Sequence, residues 1–174
     1  MIIKSSSFLY LFDFDGTLVG SNQWKGILLN LFDCFRFLHF NPKQLGIRWS
    51  ILTGRPKIDI PIIRSICRYH DLYPELIFTQ PSLFYYNKKD EDVYKFKENF
   101  IKSLLYEKLM NDLKNPVFNM LKNDPFHRKI EKVLYIDNDQ NTTYHLNMNK
   151  QNYSYLAISI SDLLKKDFLQ LLTT

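Results

Sequence analysis

The chain has 174 residues, of which 45% are hydrophobic and 24% charged, and its formal net charge is +5. This length suits a single domain with a sizeable core, and the composition indicates a globular protein. No stretch approaches the roughly 18 consecutive apolar residues of a membrane span, and the first residues lack the features of a signal peptide. We therefore expect one domain over residues 1–174, located in the cytoplasm and without a membrane partner.

Charge and cysteine content say little about function. The positive charge is compatible with a polyanionic partner such as nucleic acid. A compositional bias toward Lys, Asn, Ile, Tyr and Phe, with only five glycines, is the stronger explanation because it raises the lysine content without selection for binding. Cys34 and Cys67 lie in apolar, helix-like surroundings without a CxxC spacing, so we interpret them as reduced core residues.

Two carboxylates follow the first predicted element. The apolar run Phe8–Phe12 predicts a strand buried on both faces, and Asp13 and Asp15 come where it ends. Burying two carboxylates is costly unless each is paired or bound to a metal, which disfavours a purely structural role. Open α/β sheets place their ligands at the carboxyl ends of parallel strands. A turn at Gly16 would separate the two side chains, which otherwise point the same way.

The remaining elements alternate between helices and strands. Helices are predicted from apolar residues at three- and four-residue spacing, and strands from short apolar runs. In chain order we predict a turn at Val19–Gln23, a helix at Trp24–Phe40, a strand at Trp49–Leu52, a helix at Lys57–His70, a strand at Glu75–Thr79, a loop at Gln80–Val93, a helix at Tyr94–Leu113, an excursion at Asn115–Lys132, a strand at Lys132–Asp137, a strand at Tyr153–Ser159 and a closing helix from Ser161 to Leu172.

Four segments resemble the motifs of one enzyme family. Asp13-Phe14-Asp15-Gly16-Thr17-Leu18 resembles the first motif of the haloacid dehalogenase (HAD) superfamily, most of whose members are Mg-dependent phosphohydrolases. Thr53-Gly54-Arg55 resembles the second motif, Lys97 the third and Asp137 the fourth. Together they span most of the chain in family order. The resemblance implies an α/β fold, namely a doubly wound three-layer sandwich with a mainly parallel sheet and no large cap domain, because the gaps between motifs are short.

The resemblance also implies which residues act on the substrate. Asp13 would be the nucleophile, and Asp15 the general acid and then the general base. Thr53 would donate its hydroxyl to a phosphate oxygen. Lys97 would stabilise both the nucleophile and the phosphate as a compact charge, with Lys95 as the alternative choice.

Further contacts to the substrate are expected from two loops. The Gly54 amide and the Arg55 guanidinium are candidate phosphate donors, since a guanidinium can grip two oxygens. In the loop Gln80–Val93, Tyr85 and Tyr86 with neighbouring lysines could stack a base and hold a phosphate. The alternative, which we favour, is that these aromatic residues pack the loop onto the domain.

A Mg²⁺ site is implied at the same end of the sheet. Asp13, the main-chain carbonyl of Asp15 and Asp137 would hold the ion, and oxygen ligands suit Mg²⁺ far better than Zn²⁺. The chain departs from the family where an acid usually follows the fourth-motif Asp, because Asn138 stands there. Asp139 is a candidate supporting residue.

Function is expected from the same resemblance. Residues 96–101 resemble the HAD domain of Swiss-army-knife RNA repair proteins, and the run at Thr53 resembles polynucleotide phosphatase domains. We therefore expect a Mg-dependent phosphohydrolase acting through phospho-Asp13 on RNA or DNA end phosphates or nucleotides. The alternatives are a phosphatase of a small phosphomonoester or phosphoprotein, and a catalytically silent binding subunit. The basic excursion at Asn115–Lys132 is a candidate partner surface, although a solvated helix face explains it equally well.

Overall fold

Seven strands and three α-helices make up the part of the chain that the structure describes. The structure is a computed structural model that describes residues 8–20, 22–24, 27–29, 48–80, 90–105 and 130–160. In chain order the elements are β1 (Phe8–Phe12), β2 (Asn22–Trp24), β3 (Ile27–Leu29), β4 (Trp49–Leu52), a 3₁₀ turn (Lys57–Asp59), α1 (Ile60–Tyr69), β5 (Ile77–Phe78), α2 (Asp90–Leu104), β6 (Lys132–Asp137), α3 (Gln140–Met148) and β7 (Tyr155–Ser159). Within these ranges no helix is both long and apolar enough to cross a bilayer.

Five strands form a sheet with β1 at its centre. The strand order is β5-β4-β1-β6-β7, and every neighbouring pair is parallel. The chain therefore builds outward from β1 to one edge and returns to build the other edge. A reversal of this kind opens a crevice at the carboxyl ends of the central strands. The described residues form an α/β fold, with β2 and β3 as a separate antiparallel pair.

The two faces of the sheet carry separate hydrophobic cores. Because side chains alternate along a strand, Tyr10 and Phe12 of β1 pack in one core with residues of α1. Leu9 and Leu11 pack in the other core with residues of α2 and α3. Burial on both faces is what the apolar run of β1 predicts.

The buried face of α2 includes the charged side chain of Lys97. Lys97, Phe100, Ile101 and Leu104 are all buried, and their spacing places them on one side of a helix. The three apolar residues pack in the core that α2 shares with the sheet. Lys97, one turn nearer the start of the helix, reaches the carboxyl edge of the sheet.

Most predicted strands are confirmed. The bounds of β1, β4 and β6 agree with the prediction, whereas β5 is confined to Ile77–Phe78 and β7 begins at Tyr155. The predicted helix at Lys57–His70 is confirmed apart from its first turn, which is 3₁₀. Cys67 is a buried free thiol of this helix, as expected.

The helix predicted at Trp24–Phe40 is wrong where the structure describes it. Asn22–Trp24 and Ile27–Leu29 are antiparallel strands, so Asn22 and Gln23 are not part of a turn either. Trp24 pairs with Ile27, which leaves two residues between the strands. Over so short a stretch, a three- and four-residue spacing of apolar residues does not exclude a strand pair.

The start of α2 is also corrected, from Tyr94 to Asp90. The helical backbone thus begins within the stretch that the prediction assigned to the loop Gln80–Val93. Several predictions lie outside the described residues: those for Cys34, Tyr85, Tyr86, the helix end at Leu113, most of the excursion at Asn115–Lys132 and the closing helix from Ser161 to Leu172.

Candidate active site

Three neighbouring strands deliver polar side chains to one edge of the sheet. Asp13 follows β1, Thr53 follows β4, and Asp137 is the last residue of β6. Backbone hydrogen bonding between β1 and β6 continues to this edge, since the Asp13 amide donates to the carbonyl of Ile136 at 2.8 Å. All three side chains are buried. The parallel register therefore brings them together, as expected from their positions after the strands.

Lys97 holds the two aspartates. Its ammonium nitrogen lies 2.9 Å from Oδ1 of Asp13 and 2.8 Å from Oδ2 of Asp137. All three side chains are at most 9% exposed. We call Asp13, Lys97 and Asp137 the buried triad. Lys95, the alternative from sequence, is exposed on the same helix.

Asp137 is supported by two further donors. The Tyr135 hydroxyl donates to Oδ2 at 2.6 Å, and the Asp139 amide donates to Oδ1 at 3.0 Å. Asp139 itself caps α3, with its carboxylate accepting from the Asn141 amide and the Thr142 hydroxyl. This is the ordinary role of Asp before a helix. Asp139 thus supports the site by fixing the backbone after β6.

The carboxyls of the buried triad differ in proton affinity. Burial raises the pKa of Asp13 to about 7, with Asp137 adding to the effect and Lys97 opposing it. Burial also raises the pKa of Asp137. Lys97 and the Asp139 amide lower this pKa by more, so it lies below its usual value. The two carboxylates likewise outweigh burial and raise the pKa of Lys97. Asp13 is therefore the group that takes up a proton near neutrality in the metal-free site.

A turn after β1 separates the two aspartates of the first motif. Gly16 has a φ of +76°, and its amide donates to the carbonyl of Val19 at 2.8 Å. This conformation favours glycine. Asp13 is left buried in the triad, and the side chain of Asp15 is 52% exposed. Within the turn, the Thr17 hydroxyl donates to Oδ2 of Asp13 at 3.1 Å and fixes that carboxylate from a second side.

Asp15 is paired with Arg55. Nε and Nη2 of Arg55 donate to the two carboxylate oxygens of Asp15 at 2.7 Å each. This bidentate contact raises the pKa of Arg55. Nη1 lies 3.5 Å from Oδ2 of buried Asp59, and the guanidinium is 5.5 Å from the centroid of the Phe14 ring. Arg55 thus stands between two carboxylates, one exposed and one buried.

The second-motif residues lie beside this pair. The Thr53 hydroxyl accepts from the Arg55 amide at 3.2 Å. Gly54 is half-buried, and a Cβ at this position would be 3.7 Å from Val93 of α2. Val93 lines an open cleft of about 610 Å³ whose floor includes all three residues of the buried triad. A ligand in this cleft would contact Asp13 and Lys97, and Gly54 approaches the same cleft through Val93.

Three oxygen atoms converge on one point beside the buried triad. With its nitrogen facing them, the Asn138 carboxamide donates to Oδ1 of Asp137 at 3.0 Å, Oδ2 of Asp13 at 3.2 Å and the carbonyl of Asp15 at 3.3 Å. These are the oxygens implied as Mg²⁺ ligands, and oxygen is the ligand that Mg²⁺ prefers. The residues therefore fit such an ion. No group of three His, Cys, Asp or Glu residues that could hold a metal occurs in the described ranges. The third oxygen here comes from the main chain.

Sequence reasoning missed three residues of this region. Thr17 is part of the first motif, but the sequence alone suggested no role for it. Its hydroxyl accepts from the Asn138 amide at 2.9 Å, which joins Asp13 to the loop after β6. Tyr135 precedes Asp137 by two residues, and residues at that spacing in a strand share a face. Asp59 follows Arg55 by four residues, a spacing that pairs opposite charges at a helix start. Tyr135 and Asp59 could thus have been found from spacing alone.

Compared with protein-family models, curated proteins and solved structures, the chain shows no match.

What the site can do follows from its own residues. It combines a buried carboxylate with a raised pKa, a second carboxylate on a turn, a fixed ammonium and a cluster of hydrogen-bond donors. These are the parts that covalent transfer of an anionic group requires.

Proposed function

We propose that this chain is a Mg-dependent phosphomonoester hydrolase of the HAD superfamily with a doubly wound, capless three-layer fold. The observation that carries the proposal is the position of Asp13. It lies at the carboxyl end of the central strand, bonded to Lys97 and open to a cleft, with Asp15 two residues away on a turn. The strand order and the helices on both faces support this fold.

The chemistry proceeds in two transfers. A carboxylate oxygen of Asp13 attacks phosphorus, and Asp15 donates a proton to the oxygen that leaves, so that an aspartyl phosphate forms. Asp15 then accepts a proton from water, the water oxygen attacks phosphorus, and Asp13 is released with inorganic phosphate. Lys97 stabilises the negative charge around Asp13 in both transfers. Mg²⁺ held by Asp13, the Asp15 carbonyl and Asp137 would offset the charge of the phosphate.

Arg55 has to exchange partners for Asp15 to act. Arg55 occupies both carboxylate oxygens of Asp15 at 2.7 Å, so neither is free to contact the oxygen that leaves the substrate. Phosphate oxygens offer a guanidinium the same bidentate geometry as a carboxylate. Entry of a substrate phosphate would draw Arg55 away from Asp15 and free that carboxyl group to contact the leaving oxygen. Thr53 and the Gly54 amide would donate to the same phosphate.

The open cleft favours a phosphate at the end of a larger molecule. The cleft beside the buried triad is open among the described residues, so a terminal phosphate could enter with the rest of its chain outside. The net charge of +5 is compatible with a polyanion. We therefore propose nucleic-acid ends or nucleotides as the substrate class, as the resemblance to polynucleotide phosphatase domains also implies.

The test is phosphate release in Mg²⁺ from an aryl phosphate and from oligonucleotides phosphorylated at the 3′ or 5′ end. Asp13→Asn should lower turnover by at least about a thousandfold, since the amide is no longer a nucleophile. Asp71→Asn, an exposed Asp beyond the far end of α1, is the matched control and should turn over normally. A labelled phosphate trapped on the wild type and absent from Asp13→Asn would identify the intermediate.

Two outcomes would contradict the proposal. Equal turnover by wild type and Asp13→Asn would place the chemistry elsewhere. No turnover of any substrate by wild type would favour a binding subunit. A preference for the aryl phosphate over both oligonucleotides would keep the hydrolase and reject the substrate class.

A further inference from the structure

Asn138 borders the cleft and also fills the point where the three oxygens converge. Its carboxamide contacts Asp13, Asp15 and Asp137 at 3.0–3.3 Å, and its residue is exposed on the cleft side. All three contacted atoms only accept hydrogen bonds when the carboxyls are ionised, so the nitrogen, with two hydrogens, is the group that suits this place. An amide oxygen there would face three other oxygens.

We propose that the Asn138 carboxamide stands in for the cation in the metal-free protein and has to leave before Mg²⁺ can bind. The inference rests on the proposed function, because it takes the converging oxygens as the site of the ion. Mg²⁺ binds oxygen at about 2.0–2.1 Å, whereas the amide nitrogen is 3.0–3.3 Å from the same atoms. We take the ion to lie on the side of the three oxygens that the amide faces, where the two groups would overlap, so they compete.

The side chain moves in this exchange, and the backbone stays. The Asn138 amide is bonded to the Thr17 hydroxyl at 2.9 Å, which ties the loop after β6 to the turn after β1. A Cβ at Gly16 would lie 2.7 Å from a terminal atom of the Asn138 carboxamide. Gly16 thus leaves the space that the side chain needs. Rotation about the Asn138 side chain would carry the carboxamide into the cleft.

This competition has two measurable consequences. Without metal, the two hydrogens of the amide face three oxygens, two of which also accept from Thr17 and the Asp139 amide, so Asn138 adds to the stability of the apo site. With metal, the apparent affinity for Mg²⁺ is the intrinsic affinity multiplied by the fraction of molecules in which the amide has left the site. If the amide fills the point in nine of ten molecules, the apparent Kd for Mg²⁺ is weakened about tenfold.

The experiment uses the full chain with two substitutions at one position. Asn138→Ala removes the competing amide, and Asn138→Asp keeps its shape but replaces the donor with a carboxylate. Asn141→Ala, an exposed asparagine on α3, is the matched control. Thermal unfolding in EDTA reports the apo site, and calorimetric titration with MgCl₂ reports the affinity.

We expect Asn138→Ala to lower the Tm in EDTA by about 2–4 °C and to tighten the Kd for Mg²⁺ about tenfold. Asn138→Asp should lose more stability in EDTA, because a third carboxylate joins the cluster, and should gain more from Mg²⁺. Asn141→Ala should match wild type in both measurements.

The outcomes separate this inference from the proposed function. Mg²⁺ binding by wild type with an unchanged Kd and Tm in both Asn138 variants would overturn the role of Asn138 and leave the metal site intact. Mg²⁺ binding by none of the proteins would overturn both. A weaker Kd in Asn138→Ala would overturn the competition and make Asn138 a supporting ligand.

Discussion

Two ion pairs at the same edge of the sheet differ in burial and in what they can do. The buried triad joins Lys97 to two carboxylates whose side chains are 9% and 1% exposed. In the Arg55–Asp15 pair, Asp15 follows Asp13 by two residues in the chain. The side chains of Arg55 and Asp15 are 28% and 52% exposed. Both have short contacts, so distance alone does not distinguish them. Burial does.

The difference assigns the two pairs to different tasks. Removing one member of a buried ion pair leaves an uncompensated charge in a medium that solvates it poorly, so the triad is fixed. An exposed pair exchanges readily with water and with other anions, since its net contribution to stability is small. The triad therefore positions the proposed nucleophile, and the exposed pair can open when a phosphate arrives.

The largest expected effect on stability comes from Lys97→Met. The variant leaves two buried carboxylates without their cation and should lose about 3–5 kcal/mol of unfolding free energy. Chemical denaturation in EDTA measures this loss. Lys95→Met, on the exposed side of the same helix, should change stability by no more than about 1 kcal/mol, the range of exposed contacts. Equal effects of the two substitutions would mean that the triad is not the fixed element that its burial implies.

A smaller effect should follow from the titration of Asp13. Because burial raises its folded-state pKa to about 7, well above the unfolded value, the folded state retains a proton that the unfolded chain has lost. Stability in EDTA should therefore fall by about 1 kcal/mol as the pH rises from about 6 to 8. Asp13→Asn has no such group and should show a flatter profile. Parallel profiles for the two proteins would refute the raised pKa.

The smallest effect on stability is expected at Arg55. Arg55→Gln breaks the exposed pair with Asp15 and a longer contact of 3.5 Å with buried Asp59, and should cost no more than about 1 kcal/mol, yet turnover should fall at least about tenfold because a phosphate contact is lost. Arg48→Gln is the matched control, since Arg48 pairs with Glu75 at 3.1 Å before β4, at the opposite edge of the sheet. It should lose at least as much stability, because the Arg48 side chain is only 10% exposed, and should show normal turnover. A loss of turnover in both variants would make Arg55 a structural residue.

Much of the scaffold of the site was predictable from local sequence. Short apolar runs marked β1, β4 and β6, and parallel strands bring their carboxyl ends to one edge, which places Asp13, Thr53 and Asp137. The antiparallel pair of β2 and β3 was not predicted, because the spacing of apolar residues over so few positions does not distinguish a helix from a strand.

The partners at the site depended on contacts between distant parts of the chain. The sequence by itself determined where the strands lie and which polar residues follow them, because both depend on neighbours in the chain. It left Lys97 and Lys95 as alternatives. The tertiary structure decided between them by burying one face of α2 against the sheet. Packing also paired Asp15 with Arg55 and set Asn138 among three oxygens, because such contacts depend on how separate elements fit together in space.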